Sequence, residues 1–113
     1  MNRNIFDPGD LVVVDFPGAI TAKRRPAVVV SSKLCHSQRP DLIVGWVTSQ
    51  MPPVQSATDW LLLDWAGAGL RLPSLFRAFL YTVPRSEVIA RIGRLNQDDW
   101  NSVKQYIKLA LDY

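Results

Sequence analysis

The sequence is poor in cysteine and histidine, with one of each, Cys35 and His36, among 113 residues. A lone cysteine cannot form an intramolecular disulfide, and no group of cysteines and histidines has the spacing of a zinc site. The chain also lacks an apolar run of membrane-spanning length, and its first residues lack the apolar core of a signal peptide. We therefore expect a cytoplasmic protein with no metal, no other cofactor and no membrane partner.

Linkers rich in glycine and serine are absent too, so nothing divides the chain into two domains. With 48% hydrophobic and 20% charged residues, the composition is that of a folded globular protein. We expect residues 1–113 to form a single domain with one modest core. Lys and Arg outnumber Asp and Glu by 13 to 10, a surplus that weakly favours a polyanionic partner.

Short apolar and β-branched segments, bounded by proline and glycine, predict six strands along the first 94 residues. The predicted strands cover 11–16, 26–31, 41–48, 60–64, 73–83 and 88–94. Residues 19–24 are predicted as a connection, residues 33–40 as a polar excursion on the surface, and residues 65–70 as a loop. Only the segment after Leu95 has helical periodicity, with Trp100, Val103 and Ile107 on one face and Asn96 as a capping residue. This pattern predicts a mostly β fold: a compact antiparallel barrel whose C-terminal helix covers one opening or edge.

Groups that suit a phosphate stand at the ends of two of these predicted strands. Arg24 and Arg25 precede the apolar run 27–30, and Thr48 ends the next strand. Arginine offers a planar fork of donors for phosphate oxygens, and a threonine hydroxyl adds a short directional hydrogen bond. We therefore expect a phosphodiester ligand, although a solvated loop remains the alternative for the basic residues.

Four segments of the chain, in their order along the sequence, resemble the PemK/MazF/Kid toxins of bacterial toxin–antitoxin pairs. The segments are 9–16, 24–31, 43–50 and 65–77. The resemblance implies a small SH3-like β-barrel and a symmetric homodimer. It also implies an endoribonuclease that cuts single-stranded RNA at short sequences without a metal. A cognate antitoxin would neutralise it by laying an acidic, disordered tail in the RNA-binding groove.

The same resemblance implies three catalytic residues. Arg25 matches the arginine of the family's Arg-Pro motif, Thr48 matches the hydroxyl residue that ends the following strand, and Arg77 matches the arginine of a later segment. We expect Arg25 to stabilise charge on the phosphorane oxygens and Thr48 to hold the scissile phosphate. The alternatives are a solvated cation at Arg25 and a hydroxyl at Thr48 that caps a backbone group.

The chain departs from the family at the positions that some members use for proton transfer. Those members have an aspartate two residues after the arginine that matches Arg77, where this chain has Phe79, and a histidine in the loop 18–24, which here has none. Imidazole titrates near neutrality, but His36 lies on no family motif and is expected on the surface. The identity of the general base stays open.

The residues expected to contact RNA flank the catalytic ones, and they are Lys23, Arg24, Ser49, Gln50 and Trp65. Trp65 adjoins a glycine-containing loop and could serve either the dimer interface or the RNA groove, whereas Trp46 and Trp100 are predicted to pack in the core. Two other functions stay open. Phe79 and the missing histidine favour a binding module of the same fold that holds nucleic acid or an antitoxin and barely cleaves. A gyrase-directed toxin of the CcdB type ranks last, because the final residues 111–113 lack its aromatic-glycine ending.

Overall fold

A computed structural model describes residues 5–16 and 23–112, which form one six-stranded antiparallel sheet and two helices. The strands are β1 (Asp10–Phe16), β2 (Lys23–Val29), β3 (Asp41–Thr48), β4 (Asp59–Leu61), β5 (Leu75–Pro84) and β6 (Ala90–Arg94). The helices are α1 (Lys33–Gln38) and α2 (Gln97–Leu111). The strands lie in the order β4-β5-β3-β2-β1-β6. The predicted mostly β fold with a C-terminal helix is confirmed, and within the described residues neither helix is long and apolar enough to cross a membrane.

Buried apolar side chains cover both faces of the sheet. On one face Val28 and Val47 pack with Val103 of α2, and on the other Val29 and Val44 belong to a second cluster. Successive residues of a strand point to opposite faces, so a strand buried on both sides becomes a continuous apolar run. This explains the unbroken apolar sequence of β2.

Helix α2 begins where the sequence predicted, and its first turn anchors the segment after β4. The Asn96 side chain accepts a hydrogen bond from the backbone N–H of Asp99 at 2.8 Å. The Asp99 carboxylate is fully buried and accepts N–H groups from Trp60 at 3.0 Å, Leu63 at 2.9 Å and Asp64 at 2.9 Å. Three donors and the positive end of the helix dipole stabilise a carboxylate that has left water.

Strand β4 ends at Leu61, three residues before the predicted end of that strand, and two other stretches of the chain also differ from the prediction. Residues 33–38 form helix α1, capped by Ser32 Oγ, which accepts the Cys35 N–H at 3.2 Å. The helix buries none of its residues and so has no apolar periodicity to reveal it. Strand β2 starts at Lys23, with Pro26 inside it, so the last two residues of the predicted connection 19–24 belong to a strand. Residues 19–22 of that connection lie outside the described residues. A proline is tolerated there because β2 pairs with β3 only from Ala27 onward.

Candidate functional site

A cavity of about 470 Å³ opens beside the adjacent ends of β2 and β3. The strand ends supply one side of its polar lining, and the segment that leads into β5 supplies the other. These polar residues are Arg24, Arg25, Thr48, Ser49, Arg71 and Ser74. The cavity therefore combines three guanidinium groups with three hydroxyl groups, the donor types that suit a phosphodiester.

Strand pairing brings Arg25 and Thr48 together, as the sequence predicted. β2 and β3 are antiparallel, with Ala27 opposite Trp46. If this register is continued by two residues, Arg25 lies opposite Thr48. Arg25 and Thr48 both line the cavity. Thus residues 23 positions apart in the sequence share one end of the sheet.

Thr48 is held in place by its own turn. It is only 6% exposed, and its Oγ1 accepts the backbone N–H of Gln50 at 3.1 Å. This is the backbone-capping role considered from the sequence. A hydroxyl has two acceptor lone pairs and one hydrogen to donate, so capping Gln50 leaves the Thr48 hydrogen available for a phosphate oxygen.

Arg25 is positioned by an aromatic ring. Its guanidinium carbon lies 5.8 Å from the centroid of the Trp46 ring, within the range of a cation–π contact. The ion pairs found among the described residues do not include Arg25, whereas its neighbour Arg24 lies 3.6 Å from Asp15. Arg25 is thus oriented without being neutralised by a described carboxylate, as an anion-binding residue requires.

Arg77, by contrast, does not line this cavity, and its charge is compensated. Its Nε lies 3.1 Å from Oδ1 of Asp59, a carboxylate that is 1% exposed. Its guanidinium carbon also lies 5.1 Å from the centroid of the Phe79 ring. Of the three residues predicted as catalytic, the structure brings two to the cavity and places the third on β5, opposite Trp46 in the register.

The residues predicted to contact RNA are distributed unevenly. Arg24 and Ser49 line the cavity, while Lys23 and Gln50 are exposed next to those two residues. Trp65 lies elsewhere, partly buried against the apolar cluster that includes α2. The structure therefore does not bring Trp65 to the cavity.

Three polar residues near these groups escaped the sequence analysis: Arg71, Ser74 and Asp59. Arg71 follows Gly69, which has a φ of +97° and whose added Cβ would collide with the Ile92 carbonyl of β6. Only glycine suits that conformation and that approach, so Gly69 is the signal that could have placed Arg71 beside the sheet. Asp59 has no such signal, because β4 is three residues long and its partner Arg77 is 18 residues away.

His36 is used elsewhere in the fold. Its Nε2 lies 2.6 Å from the Ser31 hydroxyl and its Nδ1 lies 3.0 Å from the Phe6 carbonyl oxygen. It does not line the cavity, and it joins α1 to the segment before β1 and to the segment after β2. Among residues 5–16 and 23–112, no group of three or more His, Cys, Asp or Glu side chains could hold a metal ion.

Comparisons with known proteins match this fold. A mycobacterial endoribonuclease in complex with its cognate antitoxin aligns with a TM-score of 0.79 and 16% identity over 96% of each chain. MazF from Deinococcus radiodurans aligns at 0.76 and 20% identity over 96% of this chain and 98% of its own. Mycobacterium tuberculosis toxin MazF-mt6 aligns at 0.72 and 20% identity over 91% and 96%. At these identities the likeness shows a shared fold.

A search among curated protein sequences finds no match. The model of the PemK-like, MazF-like toxins of type II toxin–antitoxin systems, however, matches residues 7–111. That range contains all six strands, the residues that line the cavity and helix α2. The resemblance drawn from the motifs is therefore confirmed, and this chain belongs to the PemK/MazF toxin family of type II toxin–antitoxin systems.

Proposed function

We propose that this toxin is an endoribonuclease that cuts single-stranded RNA at short sequences without a metal, with the scissile phosphate bound in the cavity beside β2 and β3. One observation carries the proposal: Arg25, with no described carboxylate on it, and the Thr48 hydroxyl line the same cavity. Family membership and solved relatives described as endoribonucleases support it. The whole chain, residues 1–113, acts as one toxin domain in this proposal.

The expected reaction is transfer of the phosphoryl group to the neighbouring 2′-oxygen. The 2′-oxygen attacks phosphorus and the bond to the 5′-oxygen breaks, which leaves a 2′,3′-cyclic phosphate and a 5′-hydroxyl. Negative charge grows on the non-bridging oxygens as the phosphorane forms. Arg25 stabilises that charge and Thr48 donates a hydrogen bond that fixes the phosphate, in the manner of an oxyanion hole.

Proton transfer has no evident side-chain base in the cavity. The described lining contains no carboxylate and no imidazole, and residues 17–22, which join β1 to β2, contain neither in their sequence. Arginine stays protonated and is a poor base. We therefore assign the acceleration to charge stabilisation and orientation, with water taking the 2′-proton and protonating the 5′-oxygen.

The surrounding residues have supporting roles in this proposal. Lys23, Arg24, Ser49 and Gln50 contact RNA on either side of the scissile phosphate, since they are exposed or line the cavity. Arg77 supports the groove through its contact with Phe79 instead of serving as an acid or base, because Asp59 already compensates its charge. An RNA contact at Trp65 stays a prediction from the sequence.

The family and its solved complexes support the partners in this proposal. We propose a cytoplasmic homodimer neutralised by a cognate antitoxin whose acidic, disordered tail covers the basic groups at the start of β2. A mycobacterial relative and a MazF from Deinococcus radiodurans have each been solved with an antitoxin. A chain of this size also gains stability by burying apolar surface in a dimer.

The experiment that tests the proposal incubates the toxin with a long mixed-sequence RNA in EDTA and maps both the cut sites and the 2′,3′-cyclic phosphate ends. Arg25→Ala and Thr48→Ala should abolish discrete cuts. The matched controls are Arg39→Ala and Thr82→Ala, at exposed positions that do not line the cavity. Both variants should cut RNA like the parent protein. Equal cutting by Arg25→Ala and Arg39→Ala would remove Arg25 from the site.

A second function, a binding module that barely cleaves, is favoured by the absence of a carboxylate and an imidazole from the described lining. The same experiment separates the two. If the folded parent protein leaves every RNA intact in EDTA but retains RNA or an antitoxin tail, the binding module is the correct function. Discrete cuts that depend on Arg25 exclude it.

A further inference from the structure

Four aromatic side chains form a row on the face of the sheet that carries Arg25. Phe16 of β1 stacks on Trp46 of β3 with ring centroids 5.4 Å apart and planes 19° apart. Phe16 also meets Tyr81 of β5 at 5.1 Å, and Trp46 meets Phe79 of β5 edge-on at 5.9 Å. We call Phe16, Trp46, Phe79 and Tyr81 the aromatic row.

The aromatic row is open to a ligand and bordered by positive charge. Phe79 is 53% exposed, and the other three rings are partly exposed. The guanidinium of Arg25 lies 5.8 Å from the centroid of Trp46, and that of Arg77 lies 5.1 Å from the centroid of Phe79. An exposed aromatic surface edged by arginines suits a ligand that has flat rings and anionic groups.

Packing accounts for only part of the aromatic row: Phe16 and Tyr81 pack against the second apolar cluster, whereas Trp46 and Phe79 do not belong to it. Trp46 was predicted to pack in the core; instead it is only partly buried and belongs to the row. Its Nε1 is the one buried side-chain polar atom among the described residues that lacks a hydrogen-bond partner. An unpaired buried donor costs stability, and a half-exposed phenylalanine gains only part of the stability that full burial would give. A ligand that stacks on the ring surfaces would cover the exposed ring of Phe79.

We propose that the aromatic row is a stacking platform for the bases next to the scissile phosphate of a single-stranded RNA. The inference rests on the proposed function, and Arg25 links the two, because it lines the cavity and also lies on Trp46. A phosphate held by Arg25 places its neighbouring nucleotides beside the row. Duplex bases are already stacked on each other and present no free faces, so the ligand is single-stranded.

The aromatic row then sets how tightly and where the RNA lies, and it contributes little to reading the base sequence. Every base has a π face, so stacking tolerates different sequences. A purine covers more ring surface than a pyrimidine and gains more from the contact. Loss of a ring should therefore weaken substrate binding, whereas loss of Arg25 should slow the chemical step.

The test measures binding of a fluorescein-labelled, mixed-sequence 2′-O-methyl oligonucleotide, which has no free 2′-hydroxyl and cannot be cut. Phe79→Ala should weaken binding by about five- to a hundredfold. Phe79→Tyr should restore it, because the ring remains, while Phe79→Leu keeps apolar bulk without a π face and should stay weak. Leu109→Ala is the matched control: Leu109 is 65% exposed on α2, which packs against the opposite face of the sheet.

Each other outcome identifies what has failed. If the parent binds the oligonucleotide and Phe79→Ala binds it equally, the platform is wrong and the ribonuclease proposal stands. If the parent neither binds this probe nor cuts RNA, the proposed function fails and the platform with it. If Phe79→Ala lowers the molecular mass in solution without altering RNA binding, the aromatic row is a protein interface and the inference is overturned.

Discussion

Asp59 and Arg77 face each other across the β4–β5 pair, with Arg77 Nε 3.1 Å from an Asp59 carboxylate that is 1% exposed. The other Asp59 oxygen accepts the Ser56 backbone N–H at 3.0 Å. A carboxylate so far removed from water depends on these partners, because an unpaired buried charge is costly. The pair therefore fixes both the edge strand and the guanidinium that lies over Phe79.

Removing the arginine of this pair should destabilise the fold. Arg77→Ala leaves the Asp59 charge without its cation, and we expect a loss of about 1.5–3 kcal/mol in the free energy of unfolding, measured by urea titration. Arg77 is itself 26% exposed, so water replaces part of the lost contact. The double variant Asp59→Leu/Arg77→Leu should lose less stability than the two single variants lose together, because neither partner is then left as an unpaired charge. A loss equal to the sum of the two single-variant losses would show that the residues do not interact.

The site residues that the sequence revealed are those whose position depends on strand order alone. Arg25 and Thr48 stand at the ends of two strongly apolar segments, and antiparallel neighbours must bring those ends together. Asp59 could not be found in this way, since three residues of β4 show no period. Its partner Arg77 was identified only by a resemblance, which gave no indication of the ion pair.

The aromatic row was missed for a different reason, an irregularity in strand pairing. Gly45 of β3 lies opposite Leu80, yet the next residue, Trp46, lies opposite Arg77. Two residues of β5, Ala78 and Phe79, are therefore extra in the pairing and bend the strand locally. The alternation of the sequence shows that Trp46 points to one face, but it does not show that a bulge leaves that end of the face open.

The Asp99 carboxylate should be among the most sensitive positions in the fold. Asp99→Ala removes the acceptor for three N–H groups and also an acidic group at the start of α2, so we expect a loss of at least about 3 kcal/mol in the free energy of unfolding. Asp98→Ala is the matched control. Asp98 is an exposed acidic residue in the same helical turn, and its removal should cost less than about 1 kcal/mol. Similar losses in the two variants would contradict the buried role.

His36 should matter for stability and leave cleavage intact. His36→Ala removes the ring that bonds to the buried Ser31 hydroxyl and to the Phe6 carbonyl, although the Ser31 oxygen still accepts the Ile43 N–H. A loss of about 1–2 kcal/mol is expected in thermal or urea unfolding. Gln38→Ala, at an exposed position of the same helix, should unfold like the parent protein. A His36→Ala protein that is fully folded yet cuts no RNA would contradict the purely structural role of His36.

Antitoxin binding should weaken as salt concentration rises. The basic groups at the start of β2 are exposed, so their attraction for an acidic tail is screened within about 10 Å at 0.1 M salt. Lys23→Ala and Arg24→Ala should slow association with the cognate antitoxin at low salt and flatten its salt dependence in stopped-flow measurements. Arg39→Ala should leave both unchanged. Salt-independent association would show that the tail binds through apolar contacts.

Acid should remove the stabilisation that Asp7 provides. The Asp7 carboxylate lies 3.2 Å from Lys33 Nζ and 2.7 Å from Arg94 Nη2. The pKa of Asp7 is lowered below its usual value of 3.8, chiefly because Lys33 donates a hydrogen bond, with Arg94 adding to the shift and partial desolvation opposing it. A lowered pKa in the folded state means that the unfolded chain binds the proton more readily. The stabilisation is therefore fully present at pH values above the pKa of Asp7 in the unfolded chain. It is lost as the pH falls through the pKa of Asp7 in the folded protein.

Asp7→Asn tests this dependence, because asparagine keeps the backbone N–H that donates to Asp10 and removes only the charge. Urea unfolding at neutral pH should find the variant less stable than the parent protein. The difference should shrink as the pH falls below about 4 and vanish once Asp7 is protonated in the folded protein. A difference that stays constant from neutral to acidic pH would mean that Asp7 stabilises the fold through packing and not through its charge.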